Sequence, residues 1–150
     1  MGSFTHCIRH INRCARAYRE ERLGPLGLHG GQAMFITHVC RHPGVSQEGL
    51  GRHVLLSKSN VTRRLMALEQ DGFVRREPDP GDRRVMRVYP TERALALLPE
   101  IERVQTEWQA ALTEGFTDEE QAVLEKLLER MLARAEALTA DFAAGKKEGD

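Results

Sequence analysis

Ser57-Lys58-Ser59-Asn60-Val61-Thr62-Arg63-Arg64-Leu65-Met66-Ala67-Leu68-Glu69-Gln70-Asp71 reads as one helix with two unlike faces. Val61, Leu65 and Leu68 recur at helical spacing and make an apolar seam. Ser57 suits the cap position, because its hydroxyl accepts an orphan backbone N–H of the first turn. The outward side carries Lys58, Ser59, Asn60, Thr62 and Arg63. Cations, hydroxyls and carboxamides are the groups that bind phosphate oxygens and read base edges. Acids enter only at Glu69 and Asp71, and Gly72 suits the left-handed residue that ends a helix. An ordinary amphipathic surface helix has the same pattern, so the neighbouring segments decide between the two.

Upstream, residues 4–22 are expected to be helical, with Ile8, Ile11, Ala15 and Tyr18 on one stripe and a set of arginines largely off it. Gly24-Pro25 and Gly27 end that helix. A second helix runs from Gly30 or Gly31 to Arg41, with Ala33, Phe35, Ile36 and Val39 inward, and stops at His42-Pro43-Gly44. Residues 46–53 form a short helix capped by Ser46, and Leu55 and Leu56 fill a turn before Ser57. Two short helices joined by a tight turn, the second polar on its outer face, are the helix-turn-helix pattern. Downstream, β-type residues at 73–77 and 84–89 flank the turn chemistry of Pro78-Asp79-Pro80-Gly81-Asp82. This predicts a β-hairpin whose tip carries Arg83 and Arg84 beside Asp82. A basic hairpin directly after a helix-turn-helix is the wing of a winged helix, and a tip arginine suits the negative potential of a narrow minor groove.

Two long helices follow. The first, 91–114, has an apolar side of Leu95, Leu98, Ile101, Val104, Trp108 and Leu112, with a kink or break expected at Pro99. After Gly115 the second, 117–143, opens with Thr117 and Glu120 at capping-box spacing and carries an apolar stripe from Val123 to Leu138. The fold class is therefore mainly α (α+β): a winged helix-turn-helix with a two-stranded wing at 30–90, a helical dimerisation region at 4–23 and 91–143, and a disordered polar tail at 144–150. The terminal helices carry more apolar surface than a small winged helix covers from one side. Burial against a second copy, a homodimer, is expected, with packing of the first helix between the last two as the alternative.

The chain of 150 residues has zero formal net charge, but unevenly. Residues 1–89 hold fifteen Lys and Arg against eight Asp and Glu, and the remainder holds seven against fourteen. A basic half and an acidic half fit one end facing a polyanion, here double-stranded DNA. No apolar run approaches the roughly 20 residues that span a bilayer, and the N-terminus lacks the order of a secretory signal. Three cysteines without a framework pattern argue against a disulfide scaffold. A cytoplasmic protein with no membrane association is expected. No nucleophile motif, phosphate loop or paired acid-base set stands out, so neither catalysis nor a cofactor is expected.

The order helix, helix, helix-turn-helix, wing, long helix, long helix resembles the MarR family of bacterial and archaeal transcription regulators. The residues that carry the resemblance are His42-Pro43-Gly44-Val45-Ser46-Gln47, Leu55 through Leu65, Leu68-Glu69-Gln70-Asp71-Gly72-Phe73-Val74-Arg75-Arg76, and Asp79 through Arg87. The last contains the wing signature DxRxxR as Asp82, Arg84 and Arg87. Two features depart from the family pattern. Gly49 and Gly51 stand in a helix that usually carries alanine, and Tyr89-Pro90-Thr91-Glu92 replaces the usual Leu-Thr-Glu. The resemblance implies a homodimeric repressor on a near-palindromic operator. Ser57, Lys58, Ser59, Asn60, Thr62 and Arg63 would face the major groove. Arg83 or Arg84 would enter the minor groove, with Asp82 orienting an arginine. It also implies release by a small-molecule effector or an oxidant. His10, Cys14, Phe35 and His38 are the candidate lining of an effector cleft between the first, second and fifth helices.

Other readings stay open. All six histidines and all three cysteines fall between residues 6 and 53, so a metal-sensing or redox-sensing regulator is conceivable, although no metal-ligand motif appears and no metal site is assigned. A winged helix used only for protein contacts is the other alternative, and such a module has no need of a basic tip.

Overall fold

The computed structural model describes residues 3–144. In chain order the elements are α1 (Phe4–Leu23), a 3-10 turn (Gly24–Leu26), α2 (Gln32–Arg41), β1 (Val45–Ser46), α3 (Gln47–Val54), α4 (Lys58–Gln70), β2 (Val74–Pro78), β3 (Met86–Pro90), α5 (Glu92–Leu112) and α6 (Asp118–Ala144). The chain divides into two compact units after Gln109. The expected polar tail, 144–150, lies outside the described residues except for Ala144, which ends α6.

The first unit has a core drawn from every element of the winged helix. Leu23, Leu28, Phe35, Ile36, Val39, Leu50, Val61, Leu65, Leu68, Phe73 and Val88 are almost fully enclosed, joined by Ala94, Ile101 and Val104 of α5. The seam on α4 is the one its periodicity indicates, since Val61, Leu65 and Leu68 are its buried residues. Capping sets the two helices of the helix-turn-helix in phase. The Ser46 hydroxyl accepts the Gly49 N–H at 3.0 Å, and the Ser57 hydroxyl accepts the Asn60 N–H at 3.4 Å.

Gly51 explains one departure from the family pattern. It is buried, and a Cβ there would lie 3.1 Å from Val61 Cγ2 and 3.5 Å from the Leu56 carbonyl oxygen. The missing side chain lets α3 and α4 close on each other. Leu55 and Leu56 fill the turn between them, as expected, but in unlike surroundings. Leu55 caps α3 in the left-handed region at φ 55° and is 85% exposed, while Leu56 packs partly against the core. Leu55 is the one non-glycine residue with positive φ among the described residues, a conformation that costs a branched side chain about 1 kcal/mol.

The expected two-stranded wing is present, and a further strand, β1, extends its sheet to three. β1 pairs antiparallel with β3, Val45 opposite Val88 and Ser46 opposite Arg87. β2 pairs with the other edge of β3, from Val74 opposite Pro90 to Pro78 opposite Met86. The third strand is two residues long, too short for any alternation to show. The wing's exit is pinned by Thr91. Its hydroxyl donates to the Gly72 carbonyl at 2.6 Å and accepts the Ala94 N–H at 3.3 Å, so one side chain joins the end of α4 to the start of α5. Pro99 does not break α5, which runs through it as one helix.

In α1 only Ala15 and Leu23 are buried, and the stripe residues Ile8 and Ile11 are exposed. Tyr18, lower on the stripe, meets the Trp108 ring at 5.0 Å. In the second unit Thr117 and Glu120 close a reciprocal capping box at 2.9 and 3.1 Å. The stripe of α6, from Val123 and Leu124 through Leu127, Leu128 and Met131, is exposed throughout.

Replacing Leu65 by Ala empties a fully enclosed position at the centre of the α4 seam. Such truncations cost about 2–5 kcal/mol, and urea unfolding followed by circular dichroism is expected to show a loss in that range.

Candidate nucleic-acid interface

Helix α4 separates its side chains by phase. At about 100° per residue, Ser59 and Arg63 lie roughly opposite the buried seam, with Lys58, Thr62 and Asn60 on its flanks. Lys58, Ser59 and Arg63 are exposed, whereas Asn60 and Thr62 are half-buried. Several of these groups already have partners. Arg63 Nη2 donates to Asn60 Oδ1 at 2.8 Å, which steers the guanidinium along the helix. The Thr62 hydroxyl donates to the Lys58 carbonyl at 2.9 Å. Ser57 caps the helix and lies 3.4 Å from the Ser59 hydroxyl. The six residues expected on this face thus fall on the first two turns of one helix, and its N-terminal N–H groups add partial positive charge beside them.

The wing presents its arginines from a built turn. Asp79 organises it: its carboxylate accepts the Gly81 and Asp82 N–H groups, each at 3.0 Å, and the Arg87 Nε at 3.0 Å. Arg87 also donates to the Gly44 carbonyl at 3.2 Å, tying the turn to the loop before β1. These donors, Arg87 first and the two backbone amides after it, hold the Asp79 carboxyl below the usual aspartate range. Asp82 binds Arg84 through two parallel hydrogen bonds, Nε to Oδ1 at 3.0 Å and Nη2 to Oδ2 at 3.1 Å. That bidentate pair lowers the Asp82 carboxyl and raises the Arg84 guanidinium. Arg83 is exposed next to it. Asp82 therefore orients Arg84. Asp79 and Arg87 build the turn that carries both; the sequence marked Asp79 as a turn residue but not as the partner of Arg87. The spacing of eight residues across a tight turn is the signal that was available.

Arg76 braces the wing from the other side. It bonds Glu69 at the end of α4 at 2.5 Å and Gln47 at the start of α3 at 3.2 Å. Its guanidinium is largely enclosed, so this fork joins β2 to both helices of the helix-turn-helix.

The four residues suggested for an effector cleft sit in different surroundings. His10 and Cys14 lie exposed on α1, with the His10 ring 4.2 Å from that of His6. Phe35 is in the core. His38 is half-buried, stacked on His53 at 3.9 Å and 4.6 Å from His42, and burial lowers its pKa, with the two neighbouring imidazoles adding to the effect. Two cavities, of about 260 and 300 Å3, lie around residues 29–32, and of the four only Phe35 lines either. Burial pushes the Cys40 thiol up, away from a reactive thiolate, and Glu102 adds to the shift. Among the described residues no group of three or more His, Cys, Asp or Glu could hold a metal ion, and no helix is long and apolar enough to cross a membrane.

Comparison with known proteins bears on this arrangement directly. Residues 26–85, from the turn after α1 to the wing, match the sequence model of the MarR family. Over its winged helix the chain is similar to the MarR family of transcriptional regulators. It is similar to the uncharacterized HTH-type transcriptional regulator YybA of Bacillus subtilis (strain 168), 27% identical over 83% of this chain and 85% of that one. Its structure resembles a MarR protein from Peptoclostridium difficile with a TM-score of 0.91, at 25% identity over 94% of this chain and 92% of the other. A mutant MarR from E. coli, solved in complex with operator DNA, is similar with a TM-score of 0.78 at 26% identity, covering 85% of this chain and 92% of that one. Of these relatives, the B. subtilis protein is named as a transcriptional regulator.

The wing turn yields a pH expectation. A carboxyl whose folded pKa is depressed contributes stability above its unfolded pKa and loses it as pH falls through the lower folded value. The Asp79 lock is therefore expected to hold at neutral pH and to open only below the unfolded aspartate value of 3.8. An NMR titration of the Asp79 carboxyl carbon checks the midpoint, and Asp79→Asn at neutral pH should speed hydrogen exchange at Gly81 and Asp82.

Proposed function

We propose that this chain is a homodimeric repressor that binds double-stranded DNA in the cytoplasm and is released by a small-molecule or oxidant signal. The observation that carries the DNA reading is the pairing of two basic elements in one folded unit: the exposed Lys58, Ser59 and Arg63 of α4 and the arginine-tipped wing. A B-form major groove admits a helix, and the N-terminal residues of a recognition helix are those that reach base edges. In this reading Ser57, Lys58, Ser59, Asn60, Thr62 and Arg63 face the major groove. Arg83 or Arg84, the latter oriented by Asp82, enters the adjacent minor groove. The operator DNA held by the E. coli relative supports this assignment.

The dimer reading rests on two apolar surfaces, each judged within its own unit. The α6 stripe exposes Val123, Leu124, Leu127, Leu128 and Met131 along one helix, and α1 exposes Phe4, Ile8 and Ile11. Contiguous apolar stripes of this length are rare on monomers and mark association surfaces. A two-fold copy makes the DNA site near-palindromic, with half-sites about 10 base pairs apart. Residues 4–23 and 91–143 then form the association region, and 30–90 the reading head. The signal is an organic ligand or an oxidant; exposed Cys7 and Cys14 keep the oxidant in play.

The test begins with a duplex selected by the full chain from a random-sequence library. Arg63→Ala and the double change Arg83→Ala with Arg84→Ala are each expected to weaken binding about ten-fold. Each should also flatten the dependence of log affinity on log salt, by about one for every phosphate no longer neutralised. Fluorescence anisotropy measures both, with circular dichroism as the folding control; unchanged affinity in both variants would count against the interface. Sedimentation equilibrium tests assembly separately. The wild-type chain should be a dimer, and Leu127→Glu with Met131→Glu should shift it to monomer, whereas a wild-type monomer at micromolar concentration would end the dimer reading.

A further inference from the structure

Helix α4 carries two adjacent arginines that point to different partners. Arg63 lies roughly opposite the buried seam and leans on Asn60 of the same helix. Arg64, about 100° further round, turns back toward the body of the unit and donates from Nη1 to the Gly30 carbonyl at 2.8 Å. Gly30 belongs to a four-residue junction, His29-Gly30-Gly31-Gln32, that joins three helices through polar ties. Glu20 of α1 accepts from the His29 ring at 2.6 Å and from the Gly30 N–H at 3.3 Å. Gln32, the first residue of α2, donates to Asp71, the C-cap of α4, at 2.9 Å. Gly30 and Gly31 both have positive φ, 57° and 84°, which turns the Gly30 carbonyl outward to the arginine. The junction is lightly packed. The two cavities flank it, and His29, Gly30 and Gln32 line both. Here hydrogen bonds add direction to the apolar packing that already holds α4 against α2.

We propose that Arg64 is a positioning residue for DNA reading, fixing the recognition helix to the Glu20-supported junction through the Gly30 carbonyl, and that it makes no phosphate contact. This rests on the reading of α4 as the DNA-recognition helix. A charge that neutralises a phosphate and a charge that anchors a helix weaken binding in different ways when removed. The first releases fewer counterions and flattens the salt dependence. The second leaves the slope intact and lowers affinity at every salt concentration.

The experiment uses the full chain and the duplex selected by the wild type. Arg64→Ala, and Arg64→Met to keep the aliphatic stem, are expected to weaken binding about three- to ten-fold, the equivalent of one missing hydrogen bond. The salt slope and melting temperature should match wild type, and Arg64→Lys, which keeps a donor of similar reach, should restore most of the affinity. Glu20→Ala, which touches no residue assigned to DNA, should weaken binding to a similar degree. Combined with Arg64→Ala it should add little, because both changes release the same junction. A salt slope lowered by about one in Arg64→Ala overturns the proposal in favour of a phosphate contact. Unchanged affinity, or fully additive effects in the double variant, overturns it outright. A wild-type chain that selects no duplex sinks the DNA reading itself, and the proposal with it, before any variant is made.

Discussion

The placement of every polar group on α4 depends on what the same helix buries. Val61, Leu65 and Leu68 are enclosed against Leu50 of α3, Phe35, Ile36 and Val39 of α2, and Phe73 at the entry to the wing. A helix held by three buried side chains at helical spacing has no rotational freedom about its axis, so Lys58, Ser59 and Arg63 face outward by default. Gly51 tightens this arrangement: with a Cβ at that position α3 would have to withdraw from Val61. Apolar burial is non-directional, and it determines which face of α4 turns inward but only loosely its tilt. The directional part comes from hydrogen bonds at its two ends, Ser57 at the start and the Thr91 hydroxyl on the Gly72 carbonyl at the finish.

Arginine serves repeatedly as the connector between elements. Arg76 spans β2, α3 and α4; Arg87 spans the wing turn and the loop before β1; Arg93 lies over the Phe73 ring at 4.3 Å and donates to the Asp71 carbonyl at the end of α4. The five donors of a planar guanidinium allow one side chain to satisfy two acceptors on different elements, which an ammonium does with less geometric control. Exposed pairs of this kind contribute little to global stability. Their effect is on orientation, which matters more for a reading head than for a core.

The α4 seam, both serine caps, the hairpin and the capping box of α6 were legible in the sequence because each is a local pattern: helical period, a hydroxyl before a run, dense turn residues, Thr117 three before Glu120. What was missed is non-local. β1 is two residues whose strand character exists only because Val88 and Arg87 lie opposite. Asp79 and Arg87 are separated by a turn and meet only once the hairpin closes. Arg64 reaches thirty-four residues back to Gly30. The same limit applies to the leucine pair after α3, where sequence indicates a turn but not the backbone conformation that separates the two. The left-handed backbone at Leu55 sends its side chain out to solvent. Periodicity also identifies an apolar stripe without saying what covers it: the Ile8 and Ile11 face of α1 is exposed within its own unit.

The uneven charge of the chain gains a more specific meaning from these contacts. Part of the basic surplus of the first half is paired at the surface with acids of α5. Arg22 pairs with Glu107 at 3.4 Å and Arg41 with Glu102 at 3.0 Å. Net charge by segment therefore overstates what a polyanion would meet. The cations left on the α4 and wing surfaces are fewer and more sharply placed. Even Arg84 is held by Asp82, yet its side chain is 91% exposed, so water screens that pair and weakens it. A guanidinium aligned by a weak bidentate partner is pre-oriented at small energetic cost and exchanges readily to a phosphate or a groove edge. A buried pair would give the same alignment but would hold the arginine too firmly to release it. The exposure of the wing tip thus matters as much as its charge, and the turn built by Asp79 and Arg87 is what allows a flexible side chain to sit so far from the core on a fixed base.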